Sequence, residues 1–596
     1  MPISERAIEQ KIIIAVDFGT TYSGIAWAQT GEADAQNIVQ HWPDKNSTRR
    51  DFHGKSVDKV PTILKYDRHG LRWGYQIEST EQRYEWFKLG LDPSMQRDRS
   101  TLAGRYPGST QLPIQLASED ATRPTKLATD YLAALREHAE YMLQTFLSKM
   151  ALKRTPREYV ISVPAMWTDM ARDLTITCAV NAGMGPAEKL HIVSEPEAAA
   201  MYAFKEMNSC GLDVGDTFVV CDAGGGTVDL ISYTVLSLKP ILEIAEATAG
   251  TGDACGSTFL NRIFAETLNN RFRGDQDWDD DPDIFATAMD HFETHTKISF
   301  NGKQSETVPV HGLSARRGIK KGKLTLSIPE LKEIFEPVIS EILSLIRNQI
   351  QQTVEDVKLI LLVGGFGSSF YLKSRIQDAV GPGIQVKMAT NCQTAVVRGA
   401  LMKGLAEVKG VTNKLPRIRV ESRKARRHYG TECYTAYRPR QKFPQDGHSP
   451  ERKKRNSFTG QDTVKFMRWF LKKGEVVKES EPATFGFSTD SLVAAGVPKE
   501  ISIDVYYCED PGNTGAPDYR TNGIERLGTV KADIGGTDGI DPRLIKKQRG
   551  DDEQKYYVMD FDIEMVCFAA RIEFTPVFRY EGGGQRRLKP ARMVFA

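Results

Sequence analysis

Two apolar runs joined by a glycine-bearing turn occur twice in this chain. The first is Ile12-Ile13-Ile14-Ala15-Val16-Asp17-Phe18-Gly19-Thr20-Thr21-Tyr22-Ser23-Gly24-Ile25-Ala26-Trp27. The second runs from Phe218-Val219-Val220-Cys221 through Asp222-Ala223-Gly224-Gly225-Gly226-Thr227-Val228-Asp229 to Leu230-Ile231-Ser232-Tyr233. Short apolar runs on both sides of such a turn predict a β-hairpin. Helical spacing of Leu132, Leu135, Met142, Leu143, Phe146, Leu147 and Met150 predicts a helix over 129–150, with these side chains as core. Tyr159 to Ala165 reads as a buried strand ended by Pro164, and Val60 to Leu64 holds a short strand candidate. A helix over 331–350 leads into the apolar strand Val357 to Val363. Towards the C-terminus the period changes to short strands, among them Phe485-Gly486-Phe487, Ile501 to Tyr507 and Tyr556 to Ile563. Turns such as Pro511-Gly512-Asn513 and Gly535 to Gly539 separate them, which predicts an all-β module.

The glycine turns carry chemistry. Three successive glycines remove every Cβ from the turn, so backbone N–H groups can approach an anion closely. Asp222 and Asp229 flank that turn, and neither would help bind a bare phosphate. They fit a phosphate that arrives with Mg²⁺, which prefers carboxylates, phosphates and retained waters. Thr227 adds a hydroxyl. The first turn has the same grammar, with Asp17 and Asp222 separated by 222 − 17 = 205 residues. Two phosphate hairpins at that separation suggest two similar lobes closing on one nucleotide. A flexible glycine-rich hairpin is the plainer reading of either turn alone.

In wording and order these motifs resemble the 70-kDa heat-shock protein family, within the actin, sugar-kinase and heat-shock ATPase superfamily. The resemblance covers roughly residues 11–408. It implies an α/β fold: a two-lobed actin-like ATPase domain with duplicated phosphate-binding β-hairpins, followed by a β-rich C-terminal domain. ATP or ADP and Mg²⁺ are the implied cofactors. Asp17, Asp222 and Glu195 (in Ser194-Glu195-Pro196-Glu197-Ala198) would hold the metal through water; Glu197 is assigned nothing. Gly19, Thr20, Thr21, Tyr22, Gly224, Gly225, Gly226, Thr227 and Gly256 would bind the nucleotide, with Thr20, Thr227 and the glycine N–H groups cradling the phosphates and Gly256 lying against them. Lys88, in Glu85-Trp86-Phe87-Lys88-Leu89, and Asp229 would orient the attacking water, completing a catalytic set of Asp17, Lys88, Glu195, Asp222, Thr227 and Asp229. Glu293 and Lys297 would hold the ribose and base, beside an adenosine loop at Gly364, Gly365, Phe366 and Ser368. There the chain departs from the family: Phe366 replaces a small hydroxyl residue, and Ser368 replaces an arginine that packs on adenine. Phe366 is read either as a substitute stacking surface or as apolar packing.

Composition narrows the class. Forty per cent hydrophobic and 26% charged residues over 596 fit a globular protein of several domains. Eight scattered cysteines without a C-x-x-C pair argue against a disulfide framework or zinc site, and Cys221 and Cys567 read as buried free thiols. No run of about 18 apolar residues spans a membrane. The charged stretch Met1 to Gln10 shows no signal peptide. The expected compartment is therefore the cytoplasm, with nuclear access. The net charge is +2, yet Pro416 to Arg455 holds 13 Lys/Arg and 4 Asp/Glu, a local 13 − 4 = +9. That segment reads first as solvated linker or loop. Its Arg452-Lys453-Lys454-Arg455 reads otherwise as a nuclear-import signal or a polyanion contact, and no nucleic-acid partner is expected outside 416–455. Residues 275–283, with six aspartates, read as a solvated acidic loop.

The expected organisation is a nucleotide-binding domain over 1–408, a basic linker over 409–428, and a β-rich domain over 429–596. The last weakly resembles the family's peptide-binding β-sandwich, with no helical lid expected after it. The expected function is an ATP-hydrolysing, heat-shock-like chaperone with polypeptide clients or co-chaperones. The alternative is an ATP-sensing binding or scaffold protein with little turnover. A small-molecule kinase fits the β-rich C-terminus poorly. The stretch Val411 to Val420 is basic and poor in large apolar residues, and Pro416 lacks a backbone donor, so a docked linker of the family type is not expected.

Overall fold

Each apolar–glycine–apolar stretch folds as an antiparallel hairpin. Ile12–Asp17 pairs with Tyr22–Gln29, and Thr217–Ala223 with Val228–Ser237, where Asp222 stands opposite Asp229. In this computed structural model the described residues are 10–30, 36–47, 54–68, 70–78, 81–92, 123–206, 211–239, 241–313, 318–408, 418–439, 448–478, 481–509, 515–535, 540–541, 543, 545–567, 572–580 and 584–595. They fall into two units, Met1–Val420 and Glu421–Ala596.

In the first unit each hairpin anchors its own sheet. One sheet has the order Leu190–Ser194, Arg157–Val163, Ile12–Asp17, Tyr22–Gln29, Asn37–Ile38. The other contains, in order, Gln385–Met388, Val357–Val363, Thr217–Ala223, Val228–Ser237, Leu242–Asp253. In both, the first three strands are parallel and the hairpin partner turns back antiparallel. The topology is thus repeated, with Asp17 last and Asp222 last but one in equivalent strands. Every residue of Ile12–Asp17 and Thr217–Ala223 is buried, which explains runs that are apolar throughout instead of alternating.

A core shared by the two sheets encloses helices Glu195–Glu206 and Ala395–Glu407, with Ile13, Ala15 and Val160 from one sheet and Phe218, Val220 and Ile231 from the other. Here the alanines after Glu195 find their reason. A Cβ at Gly399 would lie 1.7 Å from the Ala198 carbonyl oxygen, so the helices cross too closely for larger side chains. The second sheet's other core receives helices Thr258–Phe272 and Ile328–Gln352, the latter started by a Ser327–Glu330 capping box.

Three sequence expectations change. The helix spans Arg123–Phe146 and stops there, because Ser148 caps a new helix, Lys149–Arg154. Phe146 and Met150, expected in the core, are 62% and 65% exposed. The aspartate-rich stretch is helical, in Gln276–Asp280 and Pro282–His291; Trp278 is buried and the Asp281 carboxylate caps the Asp283 N–H. Acidic side chains suit helix N-termini, where the dipole is positive. The basic segment, read as loop, forms strands Ile418–Lys424, His428–Ala436 and Lys453–Arg455. Residues 409–417 and 440–447, and with them most of the stretch read as a linker without docking, lie outside the described residues. Val420, at its end, is 7% exposed and packs in the first unit's core.

The second unit is built of antiparallel strands. One sheet orders Lys453–Arg455, Asp462–Leu471, His428–Ala436, Glu500–Cys508, Ile524–Asp533 and Arg592–Phe595; the other contains Ala483–Leu492, Lys555–Cys567, Ile572–Arg579 and Gln585–Arg587. Phe470, Val505 and Val530 of the first meet Phe561, Ile563 and Phe574 of the second in one core.

Candidate functional site

The second hairpin's turn is closed by the Gly224 N–H donating to the Thr227 carbonyl at 3.0 Å. Its outward shape is set by the start of helix Thr258–Phe272. The N–H groups of Gly256, Ser257 and Thr258 donate to the carbonyls of Gly226, Gly224 and Gly225 at 3.1, 3.1 and 2.9 Å. All three glycine carbonyls are thereby turned towards the helix. Among the described residues, the Gly225 and Gly226 N–H groups have no hydrogen-bond partner. A turn that occupies its carbonyls and leaves N–H groups free is a cradle for an anion.

None of these three glycines has a left-handed φ. Close approach is what requires them. A Cβ on Gly225 would lie 2.0 Å from the Thr21 hydroxyl, and one on Gly226 would lie 2.7 Å from the Thr20 methyl carbon. The two hairpin turns therefore meet face to face. Gly256 is packed as tightly, its Cβ position 2.3 Å from the Gly225 carbonyl oxygen. Gly364 combines both demands: φ is +83°, and a Cβ would lie 2.3 Å from the Asp222 carboxylate.

Around these turns sit the acidic side chains. Asp17 accepts from the Lys59 ammonium at 2.7 Å and from the Ser162 hydroxyl at 3.2 Å. Asp229 accepts from the Met166 N–H at 3.1 Å. Glu195, the first residue of its helix, accepts from the Lys88 ammonium at 2.7 Å. The Lys88 side chain is 2% exposed and walled by aromatic rings, its nitrogen 5.2 Å from the Trp167 centroid and 5.7 Å from that of Phe18. Burial pushes the Glu195 carboxyl up to about 7; it outweighs Lys88, and Asp229 and Asp17 push the same way. Asp222 is driven well above the usual carboxylate range, first by burial and then by Glu195, Asp229 and Asp17, with Lys59 opposing. Such a concentration of buried carboxylates is short of positive charge. Among the described residues no three Asp, Glu, His or Cys side chains converge as a direct metal cage.

Further out, Glu293 and Lys297 form an ion pair at 2.5 Å across one π-helical turn, Phe292–Thr296. The Asn261 amide donates to Glu293 at 2.6 Å, and Lys297 donates to the Ser257 carbonyl at 3.4 Å. Burial would raise the Glu293 carboxyl, but Lys297 and Asn261 together bring it below the usual range. Burial, and after it Glu293, raises the Tyr22 phenol. Phe366 is 3% exposed within the second sheet's core, so of its two readings it takes the packing one. Ser368 donates to the Gly365 carbonyl at 2.7 Å. A hollow is lined by Thr294, His295, Ile298, Ser299, Asn301 and Phe370, and none of Asp17, Glu195, Asp222 and Asp229 lines it.

The structure thus brings Asp17, Lys88, Glu195, Asp222, Asp229 and both turns together, with Glu293 and Lys297 adjoining. Sequence reading missed Lys59 and Ser162. Lys59 lies in a polar, broken stretch 42 residues from Asp17, and nothing local marks it as a partner. Cys221 is a buried free thiol, while the Cys567 side chain lies outside the described residues. In the basic run, Lys453 pairs with Asp462 at 2.8 Å, Arg455 pairs with Asp551 at 3.5 Å, and Arg452 stacks 4.0 Å over Tyr519. No helix among the described residues is long and apolar enough to cross a membrane.

Comparison with known proteins places this geometry. The model of the Hsp70 protein family matches residues 92–413, more than half of the chain. Heat shock 70 kDa protein 12A of Homo sapiens is 22% identical over 626 residues, covering 89% of this chain and 86% of that protein. Heat shock 70 kDa protein 12B of Homo sapiens is 25% identical over 482 residues, covering 66% of this chain and 68% of that protein. The chaperone protein HscA of Pectobacterium atrosepticum is 27% identical over 376 residues, covering 60% of this chain and 52% of that protein.

Proposed function

Because the chain belongs to the Hsp70 protein family, we propose that its first unit is a two-lobed, actin-like ATPase domain and its second a module for polypeptide segments. ATP would lie between the two hairpin turns and be hydrolysed there. The observation that carries this reading is the repeated sheet topology, which sets two glycine turns face to face with Asp17, Asp222, Asp229 and Glu195 around them. Mg²⁺ suits that donor set: four buried carboxylates, two of them raised by burial and mutual repulsion, are relieved by a divalent cation.

Asp17, Asp222 and Glu195 would hold the ion through water. Bound with ATP, Mg²⁺ supplies charge neutralisation on the phosphates. The Gly225 and Gly226 N–H groups, with the Thr20 and Thr227 hydroxyls, would receive phosphate oxygens. Lys88, fixed by Glu195 and its aromatic walls, would present its ammonium to the transferring group, and Asp229 would orient the attacking water. Catalysis of this kind is positioning and electrostatics. Glu293 and Lys297 would flank the ribose and base.

A second reading, nucleotide sensing with little turnover, is favoured by the adenosine loop, where Phe366 is turned into the core and Ser368 is bonded within its own turn. One experiment separates these readings: calorimetric ATP affinity with and without Mg²⁺, followed by single-turnover hydrolysis. Mg²⁺-dependent binding with hydrolysis supports the ATPase; binding without hydrolysis supports the sensor; no binding removes both. A cytoplasmic location is proposed with either.

A further inference from the structure

Two residues before Lys88, the backbone does something costly. Trp86 has φ = +61° and is 5% exposed. A bulky residue in the left-handed region is an outlier that persists only where its surroundings over-determine it. Those surroundings include Leu89, buried in one cluster with Trp86, and two residues one turn apart on helix Thr258–Phe272. The Arg262 guanidinium carbon lies 4.0 Å from the Trp86 ring centroid, and the Phe259 ring meets the indole at 6.0 Å and 62°. Burial lowers the Arg262 guanidinium to about 10, with Glu85 opposing, so this cation lies against the indole in a largely desolvated place.

This helix also holds the triple-glycine turn through Gly256, Ser257 and Thr258. The reversed backbone at Trp86 leads directly into the turn that carries Lys88: the Trp86 carbonyl accepts from the Leu89 N–H at 3.0 Å, and the Lys88 carbonyl from the Leu91 N–H at 3.0 Å. We infer that Trp86, docked on Arg262 and Phe259, is a positioning residue that couples the place of the Lys88 ammonium to the helix behind the phosphate turn. Lys88 then reaches Glu195 only while Trp86 is seated. The inference rests on the proposed nucleotide site for its catalytic meaning, but the geometry it asserts exists without nucleotide.

The test therefore reads Lys88 directly in the full chain without nucleotide. Lysine acetylation by acetic anhydride is followed by mass spectrometry, with exposed Lys126 as the rate standard. Lys11, paired with Glu158 at the far end of the Asp17 strand, is the control for general loosening. Trp86→Ala and Arg262→Met should each raise Lys88 acetylation about tenfold while leaving Lys11 unchanged, as local opening requires. Trp86→Phe, which keeps an aromatic face, should stay near the parent. Arg262→Met serves even if Trp86→Ala folds poorly. Lys88 equally protected in Arg262→Met and the parent overturns the inference, and so does a parallel rise at Lys88 and Lys11. In single-turnover hydrolysis, Trp86→Ala should add nothing to Lys88→Met; an added loss would show that Trp86 does not act through Lys88. Absent hydrolysis in the parent would count against the ATPase reading alone, since the labelling would still judge the latch.

Discussion

At the scale of single residues, close approach decides which glycines matter. Gly225 was legible as special in the sequence, but positive φ is not the reason: its backbone is ordinary, and the adjoining Thr21 leaves no room for a Cβ. Gly225→Val should therefore part the two turns as well as block the phosphates, so ATP binding should be lost while the melting curve stays native-like. Retained affinity together with native-like melting would reject a cradle at this turn. Gly365 is a contrast, with nothing within 4 Å of its Cβ position. Sequence marked both glycines of Gly364-Gly365 equally, and only the fold distinguishes the one pressed against Asp222. Lys59 and Arg262 were invisible for a similar reason: each acts on a residue far away in the chain, with no local pattern to betray the pairing.

At the scale of elements, the hairpins and the strand Val357–Val363 were readable because strands buried on both faces carry largely continuous apolar runs. The end of helix Arg123–Phe146 was not, since Leu147 and Met150 continue the helical spacing past the point where Ser148 starts a new cap. The basic strands were hidden by their charge. Lys453–Arg455 is an exposed edge strand, where lysines guard against unwanted pairing. One inter-element tie should show in pH dependence. His191, on strand Leu190–Ser194, donates to Glu407 at the end of helix Ala395–Glu407 at 2.6 Å, and faces Glu158 at 3.6 Å. Lys403 and Lys11 neighbour those carboxylates. The hydrogen bond to Glu407 is the largest cause raising the imidazole above its ordinary value, against burial. The protonated ring is thus favoured in the folded state. Its stabilisation is full below about pH 6.5 and is lost as pH rises through the higher folded value. His191→Gln should melt a few degrees below the parent at pH 6 and converge with it near pH 9. An equal gap at both pH values would show that packing, not charge, is what His191 supplies.

At the scale of the whole molecule, communication between nucleotide and the second unit needs an element with two arrangements that both ligands bias. The stretch Val411 to Val420 offers little of that kind: it is basic and poor in large apolar residues, and Pro416 lacks a backbone donor. The expected change in affinity of a peptide-array hit between ATP and ADP is less than about fivefold, or about 1 kcal/mol. A change of about a hundredfold would show that this stretch is a switch after all. The central claim is the carboxylate-lined pair of hairpin turns, and it is tested most directly by single-turnover ATP hydrolysis in Asp222→Asn. This substitution keeps the shape beside Gly364 and removes one negative charge. The account expects hydrolysis to fall by more than about tenfold, about 1.4 kcal/mol in the barrier, with the fold intact. An unchanged rate in a protein that hydrolyses ATP would contradict it.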